Sequence, residues 1–297
     1  VQPHRHQATL ALDARATLGE CVRWDEREKL IYWVDIPGRQ MHRYDPATGR
    51  DDAVVLAQEM GCFALTGGGG FICGMRSGYA RLDCFGGEFT LLASPDYDPA
   101  RARFNDGRCD SAGRFWAGTM WEPRDRAGGV IYRLGADGRF GAQCNPVIIA
   151  NGITFAPDGR SMTLADTTNH VLWAFDYDVA TGTPSNRRVL RSYEPASGRP
   201  DGACTDAEGN VYVAIMAGGR VEKISPAGEL LAVIELPIPN ITCCTFAGDD
   251  LRTLYITTAR TRMSDAELAA HPYAGGLFAW RLPDGAAPGI IEPRYAG

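Results

Sequence analysis

The stretch RPDGACTDAEGNVYVA, residues 199–214, contains an acidic residue, a short strand, a turn and a second strand. The turn is the polar run from Asp206 to Gly209. It is followed by β-branched and aromatic residues, as is typical of strands. The same layout recurs along the chain with a different polar residue in the place of Asp201. The spacing between the copies of such a repeat decides the architecture.

The repeat has six copies, and one position in each copy marks a strand. These positions are Tyr32, Ile72, Trp116, Thr163, Tyr212 and Tyr255, at intervals of 40, 44, 47, 49 and 43 residues. A further strand and turn follow each of them. Short strands repeated at this interval predict an all-β fold, a six-bladed β-propeller in a single domain. A β-sandwich or a pair of smaller β domains is the alternative, which the near-constant interval disfavours.

The N-terminal residues are predicted to form a tail and then a strand. Residues 1–7 are polar and lack an apolar core, so we expect a disordered tail there and not a signal peptide. The propeller then occupies residues 8–297. The strand from Ala8 to Asp13 is expected to pair with C-terminal strands and close the ring, because closure removes exposed strand edges. Ser264 and Glu267 have the spacing of a capping box and predict a short helix.

Composition excludes several classes of protein. The net charge of −6 disfavours a nucleic-acid partner, and no apolar run approaches the length of a membrane span. The nine cysteines are odd in number and none has C-x-x-C spacing, which predicts free thiols in a reducing, cytoplasmic compartment. A disulfide framework or a zinc knuckle is the alternative. We expect a monomer or a weak dimer.

Four polar residues occupy the same position in their repeats. Glu20 lies 12 residues before Tyr32, Asn105 lies 11 before Trp116, Asn151 lies 12 before Thr163 and Asp201 lies 11 before Tyr212. Loops entering the innermost strands of a propeller cluster at one mouth of its channel, so these four side chains are predicted to meet there. Asn-Gly and Asp-Gly also occur simply as turns, but four in register favour a shared site.

The chemistry of these four side chains indicates a metal site. Two carboxylates and two carboxamides offer the hard oxygen ligands that Ca²⁺, Mg²⁺ and Mn²⁺ prefer. Arg103 precedes Asn105 by two residues and shares its face on an extended segment, so it is a candidate contact for an anionic or polyhydroxylated ligand. A surface role is the alternative for Arg103, and a turn or supporting role for Asp106. The sequence contains no G-x-S-x-G, P-loop or H-E-x-x-H motif.

The chain resembles the gluconolactonase/regucalcin (SMP-30-like) family of six-bladed propellers, which hydrolyse sugar lactones with one divalent metal ion. The stretches that carry the resemblance are Leu18-Gly19-Glu20, Leu30 to Ile36, Arg103 to Arg108, Gly113 to Met120, Asn151-Gly152, Pro200-Asp201-Gly202 and Leu254 to Arg260. The resemblance implies that Glu20, Asn151 and Asp201 ligate the metal, which is Ca, Zn, Mg, Mn or Fe. It also implies that Arg103 and Asn105 hold the lactone and that Asp201 doubles as general base.

Two features depart from the family pattern. Cys21-Val22 stands where the family usually has Gly-Pro, so Cys21 is either a packing residue or a soft contact to the metal. An acidic residue that contacts substrate in the family is one residue out of register here, at Glu122. Trp121 is therefore considered beside Glu122 as a substrate contact, stacking on a sugar face.

These observations predict metal-dependent hydrolysis of a sugar (aldono-)lactone, a pentono- or hexonolactone, to the aldonic acid in carbohydrate catabolism. The partner is then a small-molecule sugar lactone. The water is activated either by Asp201 or by the metal. An organophosphate or aryl-ester hydrolase of the same propeller type is an alternative, and a non-catalytic binding propeller is another.

Overall fold

The computed structural model describes residues 3–297, apart from the side chains of residues 144–146. Over this range the chain forms six antiparallel sheets of four strands, one of which gains a fifth strand. The first strands in chain order are β1 His4–Gln7, β2 Thr9–Leu12, β3 Gly19–Asp25, β4 Leu30–Asp35, β5 Gln40–Tyr44, β6 Asp51–Val55, β7 Met60–Leu65, β8 Phe71–Met75, β9 Gly78–Leu82 and β10 Phe89–Ala93. The next are β11 Ala102–Cys109, β12 Phe115–Trp121, β13 Gly129–Leu134, β14 Phe140–Val147, β15 Ala150–Phe155, β16 Ser161–Asp166, β17 Val171–Asp178 and β18 Thr183–Ser192. The last are β19 Arg199–Thr205, β20 Val211–Met216, β21 Arg220–Ile224, β22 Leu230–Glu235, β23 Ile241–Ala247, β24 Thr253–Thr258 and β25 Leu277–Arg281.

Each sheet is one blade of a six-bladed propeller. Blades one to five begin with β3, β7, β11, β15 and β19, and each blade adds its next three strands outward in chain order. Blade six has the order β23, β24, β25, β2. The six positions that mark the repeat all fall in the second strand of a blade. The prediction of an all-β, six-bladed, single-domain propeller is confirmed.

The N-terminal segment joins two blades. β2 pairs antiparallel with β25, so the predicted closure of the ring is confirmed. The prediction of a disordered tail is wrong for His4–Gln7, because β1 pairs in parallel with β22 of blade five. An open strand edge offers unpaired backbone groups, and a polar segment can satisfy them as well as an apolar one. Val1 and Gln2 lie outside the described residues.

Apolar side chains fill the spaces between adjacent blades and bury most cysteines. Of the eight cysteines whose side chains are described, seven are buried and none forms a disulfide, as the sequence predicted. The only helix of more than one turn in the described chain is α1, Asp265–Ala270. Ser264 caps it and forms a capping box with Glu267, which confirms the prediction.

The C-terminal residues 283–297, here called the C-terminal strap, cross the mouth of the channel opposite to the one described below. The strap bridges to blade five through Gly289 and Asp206, and to blade two through Tyr295 and Thr66. Its Glu292 carboxylate reaches into the channel and forms ion pairs with Arg23 of blade one and Arg108 of blade three. The channel is therefore closed at this end by a buried cluster of charges.

The Glu292 cluster balances its own charges. Burial alone would raise the pKa of Glu292, but Arg108 and Arg23, with the Thr245 hydroxyl, outweigh it and hold the pKa below its usual value. Arg23 and Arg108 also donate to backbone carbonyls of Gly107 and Ala203, both at 2.6 Å. The cluster thus joins the innermost strands of blades one, three, five and six to the C-terminal strap.

We expect Glu292→Gln to lower the free energy of unfolding by about 3 kcal/mol, because it leaves two buried guanidinium groups without their shared carboxylate. The lowered pKa means that this stabilisation is present above the unfolded pKa of about 4.3 and is lost as the pH falls through the folded value. Urea denaturation at neutral and acidic pH measures it. Glu229→Gln, at an exposed glutamate, is the control and should stay within about 0.5 kcal/mol of wild type. Equal losses for the two variants would contradict the assignment.

Candidate active site

Every innermost strand contains one irregularity in its pairing with the second strand. The shifts occur between Glu20 and Arg23, Met60 and Cys62, Phe104 and Asp106, Asn151 and Thr154, Pro200 and Ala203, and Ile241 and Cys243. A β-bulge bends its strand and re-aims a side chain, and bulges are common beside functional sites. The six bulges therefore form a ring around the channel.

The four predicted site residues all lie at these bulges. We expected them on loops just before the innermost strands, and that placement is wrong: Glu20, Asn105, Asn151 and Asp201 lie within β3, β11, β15 and β19. The bulge lets a polar side chain leave the regular alternation of its strand and enter the channel. In blade two the bulged residue is Gly61, where a Cβ would stand 2.0 Å from the carbonyl oxygen of Phe104.

The channel mouth at this level is a cavity of about 390 Å³. Its lining comes from all six blades and includes Glu20, Arg103, Asn105, Asn151 and Asp201. The structure thus brings these side chains together in one cavity, as the sequence predicted. Each of the five is largely buried. A ligand that enters this cavity would therefore exchange its contacts with water for contacts with these fixed protein groups.

A chain of hydrogen bonds orients the two carboxamides. Arg103 Nη1 donates to Asn105 Oδ1 at 2.9 Å, and Asn105 Nδ2 donates to Asn151 Oδ1 at 2.8 Å. Asn151 Nδ2 in turn donates to the Thr167 hydroxyl at 2.8 Å, and that hydroxyl donates to the carbonyl of Pro200 at 2.7 Å. The chain links blades three, four and five and ends next to Asp201. It fixes which atom of each amide faces its neighbour.

The two carboxylates of the cavity repel each other. Burial raises the pKa of Glu20 well above its usual value, and the charges of Asp201 and Asp106 raise it further. The pKa of Asp201 is also raised well above its usual value, by burial first and then by Asp106. Asp106 lies behind them and accepts backbone N–H bonds from Gly107 and Ile153 at 2.8 and 3.2 Å, so it supports the site and does not line the cavity.

One wall of the cavity is a network of two arginines and two glutamates. Arg76 donates to both oxygens of Glu122 at 2.8 and 2.9 Å and also to Glu59. Arg103 Nε lies 3.8 Å from a carboxylate oxygen of each glutamate. The hydrogen bond from Arg76 lowers the pKa of Glu122, which keeps it ionised. Glu122 and Glu59 both line the cavity, as Glu122 was expected to do. Glu59 and Arg76 belong to no motif, and the sequence did not single them out.

Trp121 lies away from the cavity. Its indole Nε1 donates to Asp125 at 2.6 Å, and the guanidinium groups of Arg101 and Arg126 lie 4.6 and 4.3 Å from its ring centre. The ring is buried and does not line the cavity. This corrects the expectation that Trp121 stacks on a sugar, because two arginines already occupy its π surface.

Cys21 has a packing role. Its backbone adopts φ 50° at the bulge of β3, and its Sγ accepts from the backbone N–H of Phe63 at 3.1 Å. Burial raises the pKa of the thiol to about 11, so it stays protonated. The thiol faces blade two and does not line the cavity. Its contacts join blades one and two, as the packing alternative predicts.

Among the residues that the structure describes, no group of three or more His, Cys, Asp or Glu side chains could hold a metal. On the axis, the cavity combines the carboxylates of Glu20 and Asp201 with amide oxygens, which is a different set of donors. No helix in the described range is long and apolar enough to cross a membrane.

The fold and the cavity together define a six-bladed β-propeller with an oxygen-rich site on its axis. A family model described as the SMP-30/gluconolactonase/LRE-like region matches residues 18–260. The chain belongs to this family, which confirms the resemblance seen in the sequence.

Individual relatives match over almost their whole length. The chain is 44% identical to 6-deoxy-6-sulfogluconolactonase of Pseudomonas putida over 283 residues, which cover 95% of this chain and 96% of that protein. It is 34% identical to human regucalcin, covering 94% and 95% of the two chains. The crystal structure of the calcium-binding protein regucalcin from Agrobacterium tumefaciens superposes with a TM-score of 0.93 at 27% identity, with all of both chains covered.

We expect Asp201→Asn to raise the melting temperature of the chelator-treated protein by about 2 °C or more at pH 7. The raised pKa means that the ionised carboxylate is disfavoured in the folded state, so stability is lost as the pH rises, and a neutral amide removes that loss. The gain should shrink near about pH 4, where the wild-type carboxyl is protonated. Differential scanning calorimetry across this range measures it. Asp106→Asn is the matched control: its carboxylate accepts two N–H bonds, so the amide should lower the melting temperature. A lower value for Asp201→Asn as well would contradict the repulsion.

Proposed function

We propose that this chain hydrolyses a sugar lactone, an aldonolactone, to the corresponding aldonic acid in the axial cavity. The observation that carries the proposal is the convergence there of two buried carboxylates, two oriented amides and Arg103. Membership of the gluconolactonase family and the likeness to a sulfogluconolactonase support a sugar lactone as substrate. That relative's name also favours a hexonolactone over a pentonolactone.

A divalent metal ion fits the residues of the cavity. Two buried carboxylates with raised pKa need a positive charge to be ionised together, and the cavity offers oxygen donors to hold one. Glu20, Asp201 and the amide oxygen of Asn151 would bind it, since that oxygen accepts one hydrogen bond from Asn105 and keeps a second lone pair. When bound, the ion polarises the lactone carbonyl and offsets the negative charge of the carboxylates. A calcium-binding structural relative favours Ca²⁺ among the candidates Ca, Zn, Mg, Mn and Fe.

The side chains of the cavity supply the proton transfer and the binding of the lactone. Asp201 accepts a proton from a water as the water oxygen attacks the carbonyl carbon, and returns a proton to the ring oxygen as the carbon–oxygen bond breaks. Arg103 donates hydrogen bonds to the lactone. Asn105 accepts from a sugar hydroxyl through its Oδ1, which Arg103 holds in place, because its Nδ2 already donates to Ala150 and Asn151. Glu122 lines the same wall and accepts from sugar hydroxyls. Burial of the whole group strengthens each of these interactions.

We expect Asp201→Asn to reduce lactone hydrolysis by about 10² to 10⁴-fold even at saturating metal, since it removes the proton acceptor. The measurement is proton release from a panel of aldonolactones, after chelation and re-addition of each candidate metal. Calorimetric titration of the metal in the same samples shows whether the variant still binds the metal. It thereby distinguishes loss of Asp201 as a metal ligand from loss of Asp201 as the proton acceptor. Full activity of the metal-loaded variant would remove Asp201 from the proton transfer. Activity of wild type that survives exhaustive chelation would remove the metal.

We expect Arg103→Gln to raise the KM for the lactone by about tenfold or more, because hydrogen bonds from a charged donor contribute about 1.5–3 kcal/mol. Initial rates over a range of lactone concentrations measure KM. Arg101→Gln is the matched control, since Arg101 lies over Trp121 and does not line the cavity. Its KM should stay at the wild-type value. Equal effects in the two variants would show that Arg103 acts only through folding.

A further inference from the structure

Three arginines line the outer part of the cavity without a carboxylate partner. Arg124 lies in the turn after β12, Arg199 begins β19, and Arg262 follows β24, so they come from blades three, five and six. Within the described part of the chain, none of their side chains forms an ion pair or a hydrogen bond. Arg103 differs, because it lies 3.8 Å from both Glu59 and Glu122. The outer cavity therefore carries three positive charges that form no ion pair with any described residue, and Glu122 and Asp201 act on Arg124 and Arg199 only without direct contact.

The fold holds these three charges close enough to act on one another. Burial lowers the pKa of Arg124, and the charges of Arg262, Arg199 and Arg103 lower it further, while the Glu122 carboxylate offsets part of this effect. Arg124 and Arg262 also adopt positive φ values of 58° and 61°. Arg39, His170 and Ala217 do the same in the corresponding turns of three other blades, so this conformation belongs to the blade repeat and brings both arginines to the cavity rim. The repulsion among the arginines is what an anionic ligand would relieve.

The depth of these groups in the cavity orients a ligand. Arg262 is exposed and Arg124 and Arg199 are half-buried, whereas Glu20 and Asp201 are buried. A molecule whose lactone ring reaches the carboxylates would hold its opposite end among the arginines. A neutral sugar would leave the three guanidinium groups there without an ion-pair partner. Planar guanidinium groups bind the oxygens of sulfonate, phosphate and carboxylate groups with strong, charge-assisted hydrogen bonds.

We propose that Arg124, Arg199 and Arg262 form an anion subsite, and that the substrate is a sugar lactone with an anionic substituent at the end remote from its carbonyl. This inference rests on the proposed lactonase function and specifies its substrate class. What these substituents share is a terminal group whose oxygens carry negative charge. A sulfonate, a phosphate and a carboxylate at that position are the three forms that an experiment can compare.

The experiment compares lactones that differ only at the remote carbon. The neutral probe is glucono-1,5-lactone, and the anionic probes are its 6-phosphate, its 6-deoxy-6-sulfonate and the 6-carboxylate analogue. We expect wild type to show a kcat/KM at least tenfold higher for one anionic lactone than for the neutral one, mostly through KM. High salt should reduce this preference, because the subsite is partly exposed. In the double variant Arg124→Gln, Arg262→Gln the ratio of anionic to neutral kcat/KM should fall at least tenfold. Lysine at both positions should restore part of it.

The matched control is Arg139→Gln, which removes an exposed arginine of blade three far from any carboxylate of the cavity. Its ratio should equal that of wild type. A wild-type enzyme that hydrolyses neutral and anionic lactones equally well would overturn the subsite and leave the lactonase function standing. So would a preference that the double variant retains.

A second readout does not depend on turnover. Calorimetric titration with gluconate and with 6-phosphogluconate, which resemble the products, should show tighter binding of the phosphate by wild type and a loss of that difference in the double variant. If no lactone is hydrolysed, the lactonase function fails. The titrations then decide the subsite by themselves: a phosphate preference that depends on the two arginines supports it, and its absence overturns it.

Discussion

Two like charges buried in one cavity are the constraint on which the rest of this molecule depends. Glu20 and Asp201 are brought together by the ring and are destabilised by burial and by each other. The neighbouring side chains do not remove the repulsion between these two carboxylates. The amides of Asn105 and Asn151 are held by hydrogen bonds that leave an acceptor oxygen available, and the nearest arginine on the same wall is occupied by two glutamates. A bound cation would relieve the repulsion, which is why the proposed function includes a divalent metal ion.

Like charges are also buried at the other end of the channel, but there they are neutralised within the chain. There the buried charges are two arginines, Arg23 and Arg108, and the chain supplies the neutralising carboxylate itself through Glu292. The buried charges at this end are thus ion-paired, whereas Glu20 and Asp201 in the cavity form no ion pair within the described part of the chain. This contrast separates the structural end of the propeller from its reactive end.

The fold could be predicted from the sequence because a propeller repeats one local pattern. The interval between the copies can be measured along the sequence without knowing any long-range contact. The convergence of Glu20, Asn105, Asn151 and Asp201 followed from the same register. Their placement on loops was wrong, because a bulge is a pairing defect that no local signal marks. Glu292 lies 184 residues from Arg108, and no pattern links residues so far apart. Trp121 was misjudged because its ring is taken by arginines from its own neighbourhood, which composition alone does not reveal.

The way the ends of the chain are used determines when the site can come into being during synthesis. The segments β1 and β2 are made before every other strand of the propeller, yet their partners are β22 and β25, more than 200 residues later in the sequence. Until those strands are made, blades five and six are incomplete, and the first residues have no place in the fold. Contacts of such long range slow folding and leave intermediates with open strand edges. The cavity needs side chains from all six blades, so its assembly follows the joining of the two ends.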